Sequence, residues 1–239
     1  MKTVRFVLLL FALNGIEAQE RNVSGNTDDL VDFVNPLVGT DSAFELSNGN
    51  TYPAIATPWA MNFWTPQTGE MGNGWCYSYD ANKIRGFKQT HQPSPWINDY
   101  AAFSLFPETG ELKVNEGQRA SWFSHKAEIS KPHYYKVYLA DYDVTTEITP
   151  TERGAQFQFT FPKTENAHVL VDGFFKGSMV KVFPKERKIV GYCRNNSGGV
   201  PDNFHNYFVI YFDKDFDEIQ TWKTSENKKA DNANLTQSL

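Results

Sequence analysis

From Tyr134 onward every second residue in a succession of short runs is apolar or aromatic, and this two-residue period narrows the possible folds sharply. Tyr134-Tyr135-Lys136-Val137-Tyr138-Leu139 is followed by Asp143-Val144-Thr145-Thr146-Glu147-Ile148-Thr149, then by Ala155-Gln156-Phe157-Gln158-Phe159-Thr160-Phe161. Side chains at i and i+2 share a face only in an extended chain. Two later runs, His168 to Asp172 and Asn206 to Phe212, are also rich in β-branched and aromatic residues. Gly, Pro, Asn and Asp interrupt the runs about every ten residues, the pattern of an antiparallel sandwich or barrel. No segment holds a 3.6-residue apolar period over three turns. The reading is all-β, an antiparallel β-sandwich, with Trp122, Tyr134, Tyr135, Phe157 and Phe159 assigned to its core. Phe, Tyr and Trp make up 15% of the chain. Such rings fill sandwich cores and also stack on sugars, and composition does not choose between the two.

The ends read differently. Lys2 and Arg5 precede the apolar run Phe6 to Leu13, and Ala18 supplies a small residue for cleavage, so residues 1–18 are expected to be a signal peptide and the protein secreted or periplasmic. Residues 19–30 are a polar leader, 31–222 the sandwich domain, and 223–239 a polar tail with Lys228-Lys229. No later stretch reaches transmembrane length. A net charge of −5 with acids and bases interspersed argues against a nucleic-acid partner. Cys76 and Cys193 are too few for a disulfide framework, and free buried thiols are the favoured expectation over a bridge.

Recognisable chemistry is sparse. The chain has no G-x-S-x-G elbow and no phosphate loop. Its five histidines lack metal-ligand spacing. The acidic run Asp213, Asp215, Asp217, Glu218 lacks the sixth-position Gly and distal Glu of a calcium loop, and reads as a solvated turn. Thr40 to Trp96 stands apart, rich in Gly, Asn, Pro and Trp, the composition of loops that carry binding surfaces on a rigid scaffold.

Within that stretch the wording becomes specific. Val34-Asn35-Pro36-Leu37-Val38-Gly39-Thr40, Gly49-Asn50-Thr51-Tyr52-Pro53-Ala54, Gly86-Phe87 with Thr90-His91, Ser121-Trp122-Phe123-Ser124-His125, Pro132-His133-Tyr134-Tyr135-Lys136-Val137 and Glu147 to Arg153 occur in order. Together they resemble the opening of glycoside hydrolase family 92. The resemblance implies a calcium-dependent, inverting exo-α-mannosidase acting on N-glycan or mannan oligosaccharides. The Phe87 to Trp96 wording is most similar to members that cut α-1,2 linkages.

The same resemblance implies that the general acid, general base and calcium ligands lie in a C-terminal (α/α)6 domain that these 239 residues do not contain. The chain is then an N-terminal fragment, inactive alone, with its sandwich incomplete and no catalytic or metal residue to assign. It would supply part of the mannose-binding cleft. Trp64 and Trp75 are the expected stacking rings, with Trp96 third. His91 and Gln92 are placed as hydroxyl partners or loop braces, Asp99 as a further polar contact, and Gly72 and Gly74 as tight-turn residues. A stand-alone carbohydrate-binding sandwich and a surface protein without a sugar site are the alternatives.

Overall fold

A computed structural model describes residues 28–41, 51–70, 76–91, 102–173, 177–196, 198–223 and 235–237. In chain order the elements are α1 (Asp28–Val31), β1 (Phe63–Gln67), β2 (Lys83–Ile84), β3 (Gly86–Thr90), β4 (Phe103–Thr109), α2 (Glu116–Arg119), β5 (Ser121–Trp122), β6 (Ile129–Lys131), β7 (Tyr134–Leu139), β8 (Val144–Pro150), β9 (Ala155–Thr160), β10 (Ala167–Gly173), β11 (Met179–Phe183), β12 (Lys188–Cys193), β13 (Asn206–Tyr211), β14 (Gln220–Trp222) and β15 (Leu235–Gln237). α1 and α2 are single turns, a 3-10 turn spans Pro184–Glu186, and every strand pairing among the described residues is antiparallel. The β-sandwich reading stands.

Three sheets enclose the core: β1-β3-β4-β10, β6-β7-β8-β9 and β11-β12-β13. The core draws Trp64, Phe87, Phe103, Leu105 and Val171 from the first, Tyr135, Val137, Leu139 and Ile148 from the second, and Cys193 and Phe208 from the third. Alternation sets the register of the second sheet. Tyr135, Val137 and Leu139 of β7 point inward, and so do Val144, Thr146 and Ile148 of β8, while Lys136, Tyr138 and Glu147 do not. Phe157 and Phe159 are half-buried against the core.

Two residues assigned to the core lie elsewhere. Trp122 is exposed, with Lys83 Nζ 5.1 Å above its ring. In the two-residue strand β5 the inward position belongs to Ser121, so its neighbour must face out. Tyr134 is half-buried on the outer face and donates its hydroxyl to Glu147. Burial and that carboxylate push its phenol up to about 12.

The acidic run is the solvated turn expected, with Arg187 donating to the Asp213 carbonyl at 2.8 Å. Cys76 and Cys193 are both buried, and neither forms a disulfide. Part of the stretch read as a polar tail is ordered as a strand, since β15 pairs with β14. On β13 the outward row Tyr207, Val209 and Tyr211 is exposed at the end of its sheet.

Candidate functional site

The first sheet is covered on both sides, and its second face is largely polar, with Phe106 and Leu170 as its buried apolar members. Thr65, Gln67, Lys88, Thr90, Ser104, Glu108 and Asp172 alternate with the core residues of β1, β3, β4 and β10, and all but Asp172 are buried. Burying so many polar groups is costly unless they find partners; the covering segments supply several, while Gln67 Oε1, Ser104 Oγ and Glu108 Oε2 have none. Tyr52 Oη lies 2.6 Å from Thr90 Oγ1. Lys88 donates to Cys76 Sγ at 3.5 Å. Gln67 donates to Glu116 at 3.2 Å and to the Gly69 carbonyl at 3.0 Å.

Arg119 is the hinge of this cover. The Asn115 side chain caps α2 through the Gly117 and Gln118 amides, fixing the turn that carries Arg119 inward. Its guanidinium is fully buried and donates to Asp172 Oδ2 at 2.6 Å, the Arg85 carbonyl at 3.0 Å and the Val114 carbonyl at 2.9 Å. Arg119 also accepts the Tyr142 hydroxyl on its own carbonyl.

Beside it, Glu108 accepts the Lys113 amide at 2.7 Å. Burial raises the Glu108 carboxyl to about 7, against the opposing pull of the Lys113 amide and the Arg119 and Lys113 charges. The folded state therefore holds this proton more tightly than the unfolded chain. The stabilisation is complete below about pH 4.5 and is lost as pH rises through about 7, a decline on the order of 1–3 kcal/mol after solvent screening. Urea melts at successive pH values should show that slope, and Glu108→Gln, which keeps a carbonyl for the Lys113 amide, should flatten it.

Gly86 opens β3 where the sheet has no room for a side chain. A Cβ there would overlap Ser104 Oγ and stand 3.0 Å from Gln67 Oε1. Gly86→Ala should destabilise by about 1–3 kcal/mol through this crowding, which a denaturant titration will register.

Of the site residues expected from sequence, Trp75, Gln92, Trp96 and Asp99, with Gly72 and Gly74, lie outside the described residues. His91 is half-buried immediately after β3. Trp64 is in the core: it is 4% exposed, edge-on to Phe103 at 5.7 Å and to Phe157 at 4.9 Å. On β1 it faces the second sheet, so no ring face is open to a sugar.

The most exposed indole among the described residues is one the sequence reading passed over. Trp59 is 98% exposed and sits at a φ of 61°, the left-handed region that a bulky residue adopts only when its surroundings enforce it. The surroundings are tight. Ala60 bonds back to the Thr57 carbonyl at 3.1 Å, Met61 donates to the Glu152 carbonyl at 2.9 Å and Ala56 to the Pro132 carbonyl at 2.9 Å. Because Phe63 is paired with Thr90, this turn enters the first sheet at the end where β3 leaves it for His91. Pro58 beside Trp59 was the signal available in the sequence, as a turn former next to a large aromatic.

A second polar patch lies on the outer face of the other sheet, a hollow of about 180 Å³ lined by Tyr134, Glu147, Thr149, Gln156 and Gln158. Among the described residues no three His, Cys, Asp or Glu side chains come together in a way that could hold a metal, and no helix is long and apolar enough to cross a membrane.

The glycosyl hydrolase family 92 N-terminal domain matches residues 33–238. The inverting mannosidase BT2199 of Bacteroides thetaiotaomicron VPI-5482 is 46% identical with a TM-score of 0.76, the match covering 86% of this chain and 28% of that one. The α-mannosidase BT3965 of Bacteroides thetaiotaomicron is 28% identical with a TM-score of 0.67, covering 86% and 30%, and it has also been solved in complex with mannoimidazole. The chain thus spans under a third of the length of either enzyme. Among curated proteins there is no match.

Proposed function

The chain belongs to glycosyl hydrolase family 92 through its N-terminal domain, and from that premise we propose that it forms one wall of the mannose-binding cleft of an exported, inverting exo-α-1,2-mannosidase acting on N-glycan or mannan oligosaccharides. The observation that carries the reading is the rigid turn presenting Trp59 to solvent beside the end of β3. Pyranose rings bind by laying a C–H face on a flat aromatic while hydroxyls meet directional partners. Trp59 supplies the flat surface. His91, half-buried directly after β3, supplies a polar group at the same end of the sheet.

In this reading the chain binds and orients. An inverting glycosidase needs two carboxyl groups about 6.5–9.5 Å apart with a water between, and these are assigned to the part of the enzyme outside the matched region, together with the calcium the family uses. Among the described residues no cluster of acidic side chains gathers to hold a calcium ion.

The test is mannose release from α-1,2-mannobiose in the presence of calcium. The chain alone is expected to be inactive and to become active when fused to the remaining region of BT2199. Trp59→Ala in the fusion should raise KM several-fold with little loss of stability, because a fully exposed side chain contributes little to folding. Mannose release by the chain alone, or an unchanged KM in the variant, overturns the reading.

A further inference from the structure

A buried carboxylate outside the site just described holds a proton problem. Glu128, its side chain 1% exposed, accepts the Tyr135 hydroxyl at 2.6 Å on Oε1, with the Tyr77 hydroxyl at 3.4 Å. Its Oε2 stands 2.6 Å from His125 Nδ1. The other ring nitrogen, His125 Nε2, is 2.7 Å from the Tyr79 carbonyl oxygen. The imidazole stacks on the Tyr79 ring at 3.9 Å and 8°, and Phe123 closes its edge at 5.0 Å.

Both nitrogens of His125 thus face oxygen acceptors. A neutral imidazole carries one N–H. If that hydrogen goes to Tyr79, the Nδ1 lone pair meets an ionised carboxylate; if it goes to Glu128, the Nε2 lone pair meets a carbonyl. Each arrangement leaves one contact repulsive. The geometry is satisfied only when the pair carries one more proton, as imidazolium against carboxylate or as neutral imidazole accepting from a carboxylic acid. Tyr77 and Tyr135 cannot be its source, because burial and the Glu128 charge hold both phenols well above their usual range.

We propose that His125 and Glu128 share one proton that latches the Cys76–Tyr79 segment to the β5–β6 connection, so that losing the proton releases the segment. The groups facing the pair are Tyr77 and Tyr79 from the latched segment and Tyr135 from β7. His125 and Glu128 are positioning residues, acting through Tyr79. The segment follows Trp75 directly in sequence, so the latch deepens the sugar-cleft reading; its consequence for sugar binding rests on that reading, whereas the latch itself does not.

The test is amide hydrogen exchange in the full chain, corrected for intrinsic rates, at Ser78 and Tyr79. Their amides bond to Thr68 Oγ1 at 2.9 Å and to the Thr40 carbonyl at 3.1 Å. Protection should fall about tenfold or more from mildly acidic to alkaline pH, as the shared proton is lost. Glu128→Gln presents an amide N–H to the neutral imidazole and a carbonyl to Tyr135, so it should keep the protection and remove its pH dependence. His125→Phe should lose the protection at every pH. Protection that is equal at both ends of the range in the wild type, or that still depends on pH in Glu128→Gln, overturns the proposal. A parallel titration of the BT2199 fusion with α-1,2-mannobiose separates the two readings: a working latch with no sugar response at any pH would sink the cleft reading and leave the latch intact.

Discussion

Asp172→Ala is expected to destabilise the domain by about 3–5 kcal/mol, the range found when one partner of a buried ion pair is removed. Arg119 has no exposed surface and reaches Asp172 at 2.6 Å. Without the carboxylate its charge stays buried, held by two backbone carbonyls that cannot neutralise it. Arg119 cannot turn to water, because its backbone is fixed by the capped turn and by the Tyr142 hydroxyl. At about 2–4 °C per kcal/mol for a domain of this size, the melting midpoint should fall by roughly 6–20 °C. Thermal melts of the single variants and of Asp172→Ala combined with Arg119→Met decide the cause. If the charge is at fault, the double variant, which buries an apolar chain of similar length, should recover part of the loss. A double variant no better than Asp172→Ala alone would mean that packing sets the effect.

Trp64→Ala should cost a similar amount, about 3–5 kcal/mol, for a different reason. The indole is wedged edge-on between Phe103 and Phe157, so its removal opens a cavity where the first and second sheets meet. Trp64→Phe keeps a ring there and drops an indole N–H that has no hydrogen-bond partner, and should recover most of the stability. Measured by denaturant titration, these two variants separate Trp64 from Trp59, whose replacement should leave the midpoint almost unmoved. Equal losses at the two positions would contradict the placement of Trp64 in the core.

The second sheet was legible in the sequence because water lies on one side of it. Val137, Leu139 and Ile148 alternate with Lys136, Tyr138 and Glu147, and the two-residue period reports the difference between the faces. The first sheet was not legible in the same way. In Gly86-Phe87-Lys88-Gln89-Thr90 every residue is buried, so no contrast of exposure imprints an alternation. The segment reads as a polar loop until the covering residues are known. Arg119 and Asp172 are 53 residues apart, and no local pattern joins them. In the sequence Trp64 reads as an open ring and Trp59 is passed over for a related reason. Both lie in one stretch rich in turn residues and aromatics, and only the strand register and the left-handed backbone tell the buried ring from the open one.

The motif resemblance placed the family correctly, yet several of its signature residues do work it did not indicate. His125 closes the Ser121 to His125 motif, and Tyr135 belongs to the Pro132 to Val137 motif. Both meet at Glu128, which no motif marked.

A sheet walled in on both faces has little freedom to vary. A new side chain on β1, β3 or β4 meets either the aromatic core or a close-fitting polar cover, and neither has slack to absorb it. Relatives that diverge in the glycans they accept should therefore keep these strands and their cover nearly constant and place their differences in exposed turns such as that of Trp59, where a residue can change without disturbing the frame beneath.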